Sequence, residues 1–397
     1  MELLRKYRNE LGLLAAIGLV FCFTLIFNQD YFTDPGRNLR NILHQTALLG
    51  IFSLGAAIVI IAGGIDLSSG SVIVFAASIY GLVLMACAPL AGVKTPTPDV
   101  RQVAGWAVFL AITAALLSGF LVGTLHTWLI TVVRMPPFVA TLASLVGLRS
   151  LVKVLNPAVS EALGSRTANL RVEIPAFMWL SRWWVALTVF LVFSALAYLL
   201  MNHTVWGRHL YALGGNEEAA RLSGIRTNRL KWLAYCIGSV TAATAGVLYS
   251  AKIGSVNPAS LGSGEELNAI AAAVVGGCSL RGGVGLIPGV MLGVLFLQMV
   301  IDSVNKVIKV GSDDFQGMIV GLLVLLAVAV NEFRRQGAAQ RRDFFPGALG
   351  ILVIPIIGLL AGTVLFITTG FKTGLVAFLL LALVLGATKV MQGRSQT

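Results

Sequence analysis

GRHLYALGGNEEAARLSGI, residues 207–225, is the one long polar, helix-forming insert in a chain whose other long stretches are nearly unbroken apolar sequence. Asn216 stands where a helix N-cap belongs, and Glu217 and Glu218 fall in the first turn, where the helix dipole favours anions. Gly224 stands where a left-handed residue stops the helix. The pattern predicts a helix of about two turns. So short a helix cannot hold itself in water, because nucleation is costly, and it must be held by its flanks and by something it touches. Glu217 and Arg221, four apart, are placed to pair, while Ala219, Ala220, Leu222 and Ile225 give a small, close-packing surface. Gly215, Asn216, Glu217, Glu218, Ala219, Ala220, Arg221, Leu222, Ser223 and Gly224 therefore read as a docking peg for another protein.

Outward from this insert, hydrophobic residues make up 57% of the 397 and charged residues 12%, with a mean hydropathy of +0.87. A soluble domain carries about a quarter charged residues, so this is the composition of a polytopic membrane protein. The net charge of +12 would suggest nucleic acid in a soluble chain. Here Lys and Arg gather at the ends of apolar segments, as the positive-inside rule asks, and nucleic acid is not an expected partner. Cys22, Cys87, Cys236 and Cys278 lie in or beside apolar stretches without CxxC spacing and read as small buried hydrophobes. Arg5, Lys6 and Arg8 precede an apolar run that resembles a signal sequence, but Asn28, Gln29 and Asp30 follow where the small residues of a cleavage site belong. The run reads as an uncleaved first span.

Crossing about 30 Å of hydrocarbon takes about 20 helical residues. The candidates are 11–27, 45–62, 71–88, 105–129, 138–154, 183–201, 232–251, 267–275, 286–303 and 315–330, followed by 347–369 and 375–390. Segment 267–275 is too short to cross alone and reads as a broken or re-entrant helix. The expected fold is an all-α polytopic membrane protein. Residues 1–335 form a core of about ten spans with the docking segment at 206–231, and 336–397 add a basic linker and a C-terminal two-helix hairpin. With both termini cytoplasmic, the insert falls on the same side as Arg334, Arg335, Arg341 and Arg342. The loops around Asp30 and Asp34, Glu161 and Glu173, and Glu265 and Glu266 then face outward.

GGIDLSSG (63–70) and GGCSLRGG (276–283) share two leading glycines, a Leu at the fifth position and a final Gly. Paired Gly-rich breaks of this kind mark internal repeats near the path of many transporters; with 43 glycines in the chain, chance is the competing reading. The candidate pathway or gate residues are Gly63, Gly64, Asp66, Ser68, Ser69, Asn268, Gly276 and Gly277. An ionised carboxylate at bilayer depth is costly unless solvated or paired. Asp66 or Ser68 therefore either caps a helix starting near Gly70, or the glycines open a cavity where Asp66 and the serines meet solute. The small residues after Asn268 suit close helix packing. Arg281 reads as an interface anchor or as facing a partner, and Pro136 and Pro137 as a structural turn. No GxxxxGK[ST] loop is present, so ATP is not bound by that route, and there is no HExxH. His44, His126, His203 and His209 lack metal-ligand spacing, and no nucleophile and base stand ready for an enzyme. No catalytic or metal site is expected.

GGIDLSSGS, GRHLYALGGNEEAARLSGI and LNAIAAAVVGGCSLRGGVG, in this order and spacing, resemble the signatures of the inner-membrane permeases of sugar-type ATP-binding-cassette importers, the ribose, xylose and galactose group. The resemblance covers about residues 11–335. It implies an all-helical permease in a bacterial inner membrane that pairs with a second permease copy, as homodimer or heterodimer. Its further partners are membrane lipid, cytoplasmic ATPase subunits and a periplasmic or extracellular solute-binding protein. It also implies that 216–225 is the coupling region that fits a groove on the ATPase. ATP is bound by that partner, so the chain needs no cofactor of its own. Asn268 departs from the Asp, and Cys278 from the Thr, common in such permeases. The solute expected is a monosaccharide or related polar small molecule, passing a cavity of small and apolar groups with few polar hooks. Two rivals are an ion-coupled secondary transporter, against which stands the lack of buried acid and base pairs in the sequence, and a membrane scaffold or lipid-exporting subunit.

Overall fold

The computed structural model describes residues 8–27, 34–91, 97–165, 167–307 and scattered positions from 316 to 385. The helices are α1 Arg8–Phe27, α2 Pro35–Ile61, α3 Ser69–Cys87, α4 Gly105–Thr131, α5 Pro137–Ala162, α6 Trp183–His203, α7 Val205–Gly215, α8 Glu217–Leu222, α9 Thr227–Ile253, α10 Glu265–Val275 and α11 Ile287–Val307. Two-residue strands pair as β1 Leu90–Ala91 with β2 Thr97–Pro98, and β3 Leu170–Arg171 with β4 Ser255–Val256.

Among the described residues, seven helices are long and apolar enough to cross a membrane (α2 to α6, α9 and α11), and α1 adds the shorter apolar stretch Leu11–Ile26. At 11 residues, α10 rises only about 16 Å, half the hydrocarbon thickness, so it does not cross alone. The span expected at 315–330 and the two hairpin runs are described only in part, and the arginine cluster at 334–342 lies outside the described residues; 316–323, 353–356 and 378–385 are helical. Contacts divide the chain into Met1–Asn331 and Glu332–Thr397.

Helix α9 is the axis of the first unit, packed against α2, α3 and α4. It meets α4 backbone to backbone: a Cβ at Gly123 would stand 2.7 Å from the Tyr235 oxygen, and one at Gly119 2.7 Å from the Ser239 oxygen. Such closeness maximises dispersion, the force that joins helices where lipid offers no hydrophobic contrast. The outer surfaces of α4, α5 and α6 expose Trp106, Phe109, Leu121, Val146 and Leu196, an apolar girdle suited to acyl chains. Cys22, expected to be buried, is exposed on α1; among the described residues the cysteines form no disulfide.

The α7–α8 element precedes the start of α9, and the β3–β4 pair caps its end, about 39 Å away by helix rise. Two boundaries move for one physical reason. Helix α2 starts about ten residues earlier than the apolar run at 45, with Asp34 Oδ1 accepting from Arg37 N at 2.9 Å, because its polar first turns line a cavity instead of forming a loop. Glu265 and Glu266, expected in an outward loop, instead open α10, and Glu266 is buried. The loop before them, 257–264, folds back among the helices. Arg149, about 18 Å along α5, makes this possible. Its guanidinium donates to the carbonyls of Pro258, Ala259 and Leu261 at 3.4, 3.4 and 3.2 Å and to that of Gly70 at 3.4 Å. Irregular backbone at membrane depth survives only when its polar groups are satisfied in this way.

Candidate functional site

The predicted peg forms as two helices, α7 and α8, broken at Asn216, whose Oδ1 accepts from Ala219 N at 3.0 Å. Gly224 takes the left-handed conformation (φ +81) just past the end of α8. Glu217 does not pair with Arg221. Instead Glu217 Oε1 meets Lys231 Nζ of α9 at 2.6 Å, and Arg221 Nη2 meets Glu218 at 2.7 Å, three residues away rather than four. From Gly215 to Gly224 every residue but Ala220 is exposed, and Leu222, at 80%, stands free of the fold.

Behind the peg lies a knot of glycines. Gly63 (φ +83) ends the turn after α2, and a Cβ on it would stand 3.3 Å from Gly214 Cα of α7. A Cβ on Gly282 would stand 2.7 Å from the Gly214 oxygen and 2.8 Å from Gly63 Cα, and Gly283 N donates to the Ile61 carbonyl at 2.9 Å. The two motifs that echo each other in sequence therefore touch, and they touch at the end of the docking element. Gly276 packs on Gly289 of α11, Gly277 takes φ +97, and Arg281 is exposed beside them.

Asp66 lies deeper. A Cβ at Gly238 would stand 3.7 Å from its Oδ2, about 16 Å along α9 from the Thr227 end. Its Oδ1 accepts from Ser68 N at 2.8 Å and Ser68 Oγ at 2.6 Å. Ser68 is the N-cap residue of α3, but its side chain makes no cap bond, so Asp66 braces the turn and Ser68 transmits it. Gly64 leaves room for the Tyr235 hydroxyl, which a Cβ there would approach to 2.5 Å. Asp66 is within electrostatic reach of His126 and Tyr235. Both His126 ring nitrogens, Tyr235 Oη, Ser69 Oγ and Ser239 Oγ are buried and find no partner in the protein, and the His126 and Tyr235 rings stand 6.2 Å apart, a polar pair suited to internal water. Asn268 is not part of it. It lies on the far side of Glu266, in a cavity between α2, α9, α10 and α11 whose lining is mostly amide and carboxylate. This lining is richer in polar groups than the few hooks expected of a solute path, and the sequence reading gave no role to Asn41, Gln45, Gln298 or Asn305.

A family model described as "Branched-chain amino acid transport system / permease component" matches residues 38–328. The chain belongs to this permease family. It is 32% identical over 346 residues to the ribose import permease RbsC of Escherichia coli (strain K12), covering 82% of this chain and 96% of that protein. It is 31% identical over 336 residues to RbsC of Bacillus subtilis (strain 168), covering 81% and 92%. It is 33% identical over 348 residues to the autoinducer 2 import permease LsrC of Yersinia pseudotuberculosis (serotype O:1b), covering 86% and 89%. No solved structure matches. The motif resemblance thus holds: this is a transmembrane permease subunit of the ATP-binding-cassette importer type.

Sequence reasoning missed three parts of the permease. Lys231, the last residue of the expected docking segment, was assigned no role, yet it anchors the peg. Arg149, inside the expected span 138–154, was assigned no role either. Partly buried acid and base groups do meet: Lys306 Nζ lies 2.8 Å from Asp302 Oδ2, and Arg149 bears on Glu266. Helical spacing (302 and 306) was the signal for the first; the second joins distant segments and has no local signature.

Proposed function

We propose that this permease is the translocation pathway of an ATP-driven importer in a bacterial inner membrane, carrying a monosaccharide or related polar small molecule. Residues 1–335 form the transporting domain, and 336–397 a basic linker and membrane hairpin. Two permease copies pair, an outer binding protein delivers solute, and cytoplasmic ATPase subunits bind the ATP. Both termini lie inside with the α7–α8 peg. The chain does no covalent chemistry and holds no cofactor.

The observation that carries this reading is the exposed α8 face, with Leu222 bare above the Glu218–Arg221 pair. An apolar side chain held out on a small, braced helix can enter a hydrophobic groove of a partner. The glycine knot behind it supplies a rigid link inward. Sugar as solute is supported by the name of the ribose permeases among the relatives; the LsrC name gives autoinducer 2, and the family description names amino acids.

The test is capture of the ATPase by the purified permease. Leu222→Asp leaves the fold intact and abolishes ATPase capture and ATP-driven uptake in proteoliposomes. Undiminished capture by that variant, or solute uptake by the chain alone under an ion gradient, sinks the reading in favour of the secondary transporter.

A further inference from the structure

The cavity beside Asn268, about 220 Å³, lies in the half of the bundle away from the peg. Tyr249 on its wall is about 33 Å along α9 from the Thr227 end. Asn41 and Asn305 at its mouth are exposed, whereas Gln298 and Asp302 are each 8% exposed. It is a funnel with an open rim and a buried floor. Among the described residues, the side chains of Asn41, Gln45, Gln298 and Asn305 make no hydrogen bond. Gln298 is 8% exposed as a residue, yet its amide lines the cavity and finds no partner in the protein, so its hydrogen-bonding capacity is directed at whatever fills that space.

Charge in the funnel is balanced. Lys306 Nζ donates to Asp302 at 2.8 Å and to Asn38 Oδ1 at 3.2 Å. Glu265 accepts from Asn268 Nδ2 at 3.2 Å and lies within electrostatic reach of Lys252. Each acid has its own base, so the wall carries dipoles in excess and little net charge. That favours a neutral solute rich in hydroxyls over a cation or an acid. Amides donate and accept at once, as hydroxyls do, and the Tyr249 ring offers an apolar face for C–H groups. The volume is below the roughly 300–1,000 Å³ of drug-sized sites and suits a single sugar ring.

We propose that this funnel is a polyol-binding subsite within a single permease copy, with the Gln298, Gln45 and Asn268 amides as the groups that take the hydroxyls. The proposal rests on the importer reading. Helix α10 joins it to the machinery: Asn268 sits at its funnel end, and the Gly276–Gly283 turn at its other end packs on the peg's Gly214. Motion of the peg thus has a direct route to the wall of the subsite.

The test uses full-length permease in lipid nanodiscs and saturation-transfer NMR with D-ribose, D-xylose and D-galactose, against D-ribose 5-phosphate as the charged control. A neutral sugar gives a signal, and the phosphate gives none. Gln298→Leu reduces the neutral signal at least about tenfold, the loss expected when one buried hydrogen-bonding group of the order of 1.4 kcal/mol is removed. Asn305→Leu, at the exposed rim where folding is not at stake, weakens it less. No neutral signal in the wild type, or one unchanged in both variants, overturns the subsite. ATPase capture through Leu222 is scored on the same preparations, so a subsite that fails while capture persists is separated from failure of the importer reading itself.

Discussion

The two ends of the first unit solve opposite problems. At the peg end, Gly63, Gly214, Gly282 and Gly283 press main chain on main chain, with no side chain between to absorb a displacement. At the far end, Asn41, Gln45, Gln298 and Asn305 stand apart around space, with hydrogen-bonding capacity unspent. A junction that transmits force must be dry and stiff, because packed interiors shift between discrete arrangements and do not deform smoothly. A site that passes a hydrated solute must be wet and replaceable in its partners. Helix α10 runs from one to the other, and half-length is what allows it: a full span would bypass the middle of the bundle.

The sharpest break in this contrast is at Arg149, which keeps the 257–264 loop folded inward and so holds the funnel wall in place. Arg149→Leu strips four carbonyls and the buried Glu266 of their cation. The expected loss is on the order of 3 kcal/mol, the low end for removing one partner of a buried charge. Thermal unfolding in detergent reads it. Arg149→Lys recovers only part, because one ammonium cannot span the fork of carbonyls. A Leu variant as stable as the wild type would show that the loop needs no support.

The dry end is tested at Gly63. Its φ of +83 makes any L side chain strained by about 1–2 kcal/mol, before the close approach to Gly214 is counted. Gly63→Ala therefore shifts the knot while sparing the exposed face of α8. ATPase capture persists and ATP-driven uptake falls about fivefold or more, the factor that one kcal/mol commands. If capture and uptake fall in step, the knot is scaffold and not a transmission point.

The spans were legible because apolar runs of membrane length admit few alternatives, and the peg because a polar insert with a cap, first-turn acids and a terminal glycine is a local pattern. The contact between GGIDLSSG and GGCSLRGG was foreshadowed only as an echo; that the copies touch depends on how distant segments cross. The funnel was hidden for a different reason. Asn41 and Gln45 precede or open an apolar run, where polarity usually means water, and Gln298, Asp302 and Asn305 look like the fraying end of a span. Their convergence is tertiary, like the joining of Arg149 to a loop more than a hundred residues away.

The smallest effect separates the two ion pairs of the peg. Lys231 is 20% exposed at its side chain and ties Glu217 to α9, whereas Glu218 and Arg221, at 64% and 65%, form a solvated pair within α8. A shielded bridge between elements approaches the upper end of the range for surface pairs, about 1 kcal/mol, while a pair along one short helix contributes about 0.3–0.5. Lys231→Ala therefore raises amide exchange at Ala219 and Ala220 about fivefold by letting α8 open, and Arg221→Ala raises it less than about twofold. Both amides report the state of α8, since Ala219 N is bonded to the Asn216 cap and Ala220 N to the Asn216 carbonyl. Equal exchange in the two variants would mean that the peg is held by its flanking chain alone, and the stiffness assigned to that end would then reside wholly in the glycine knot.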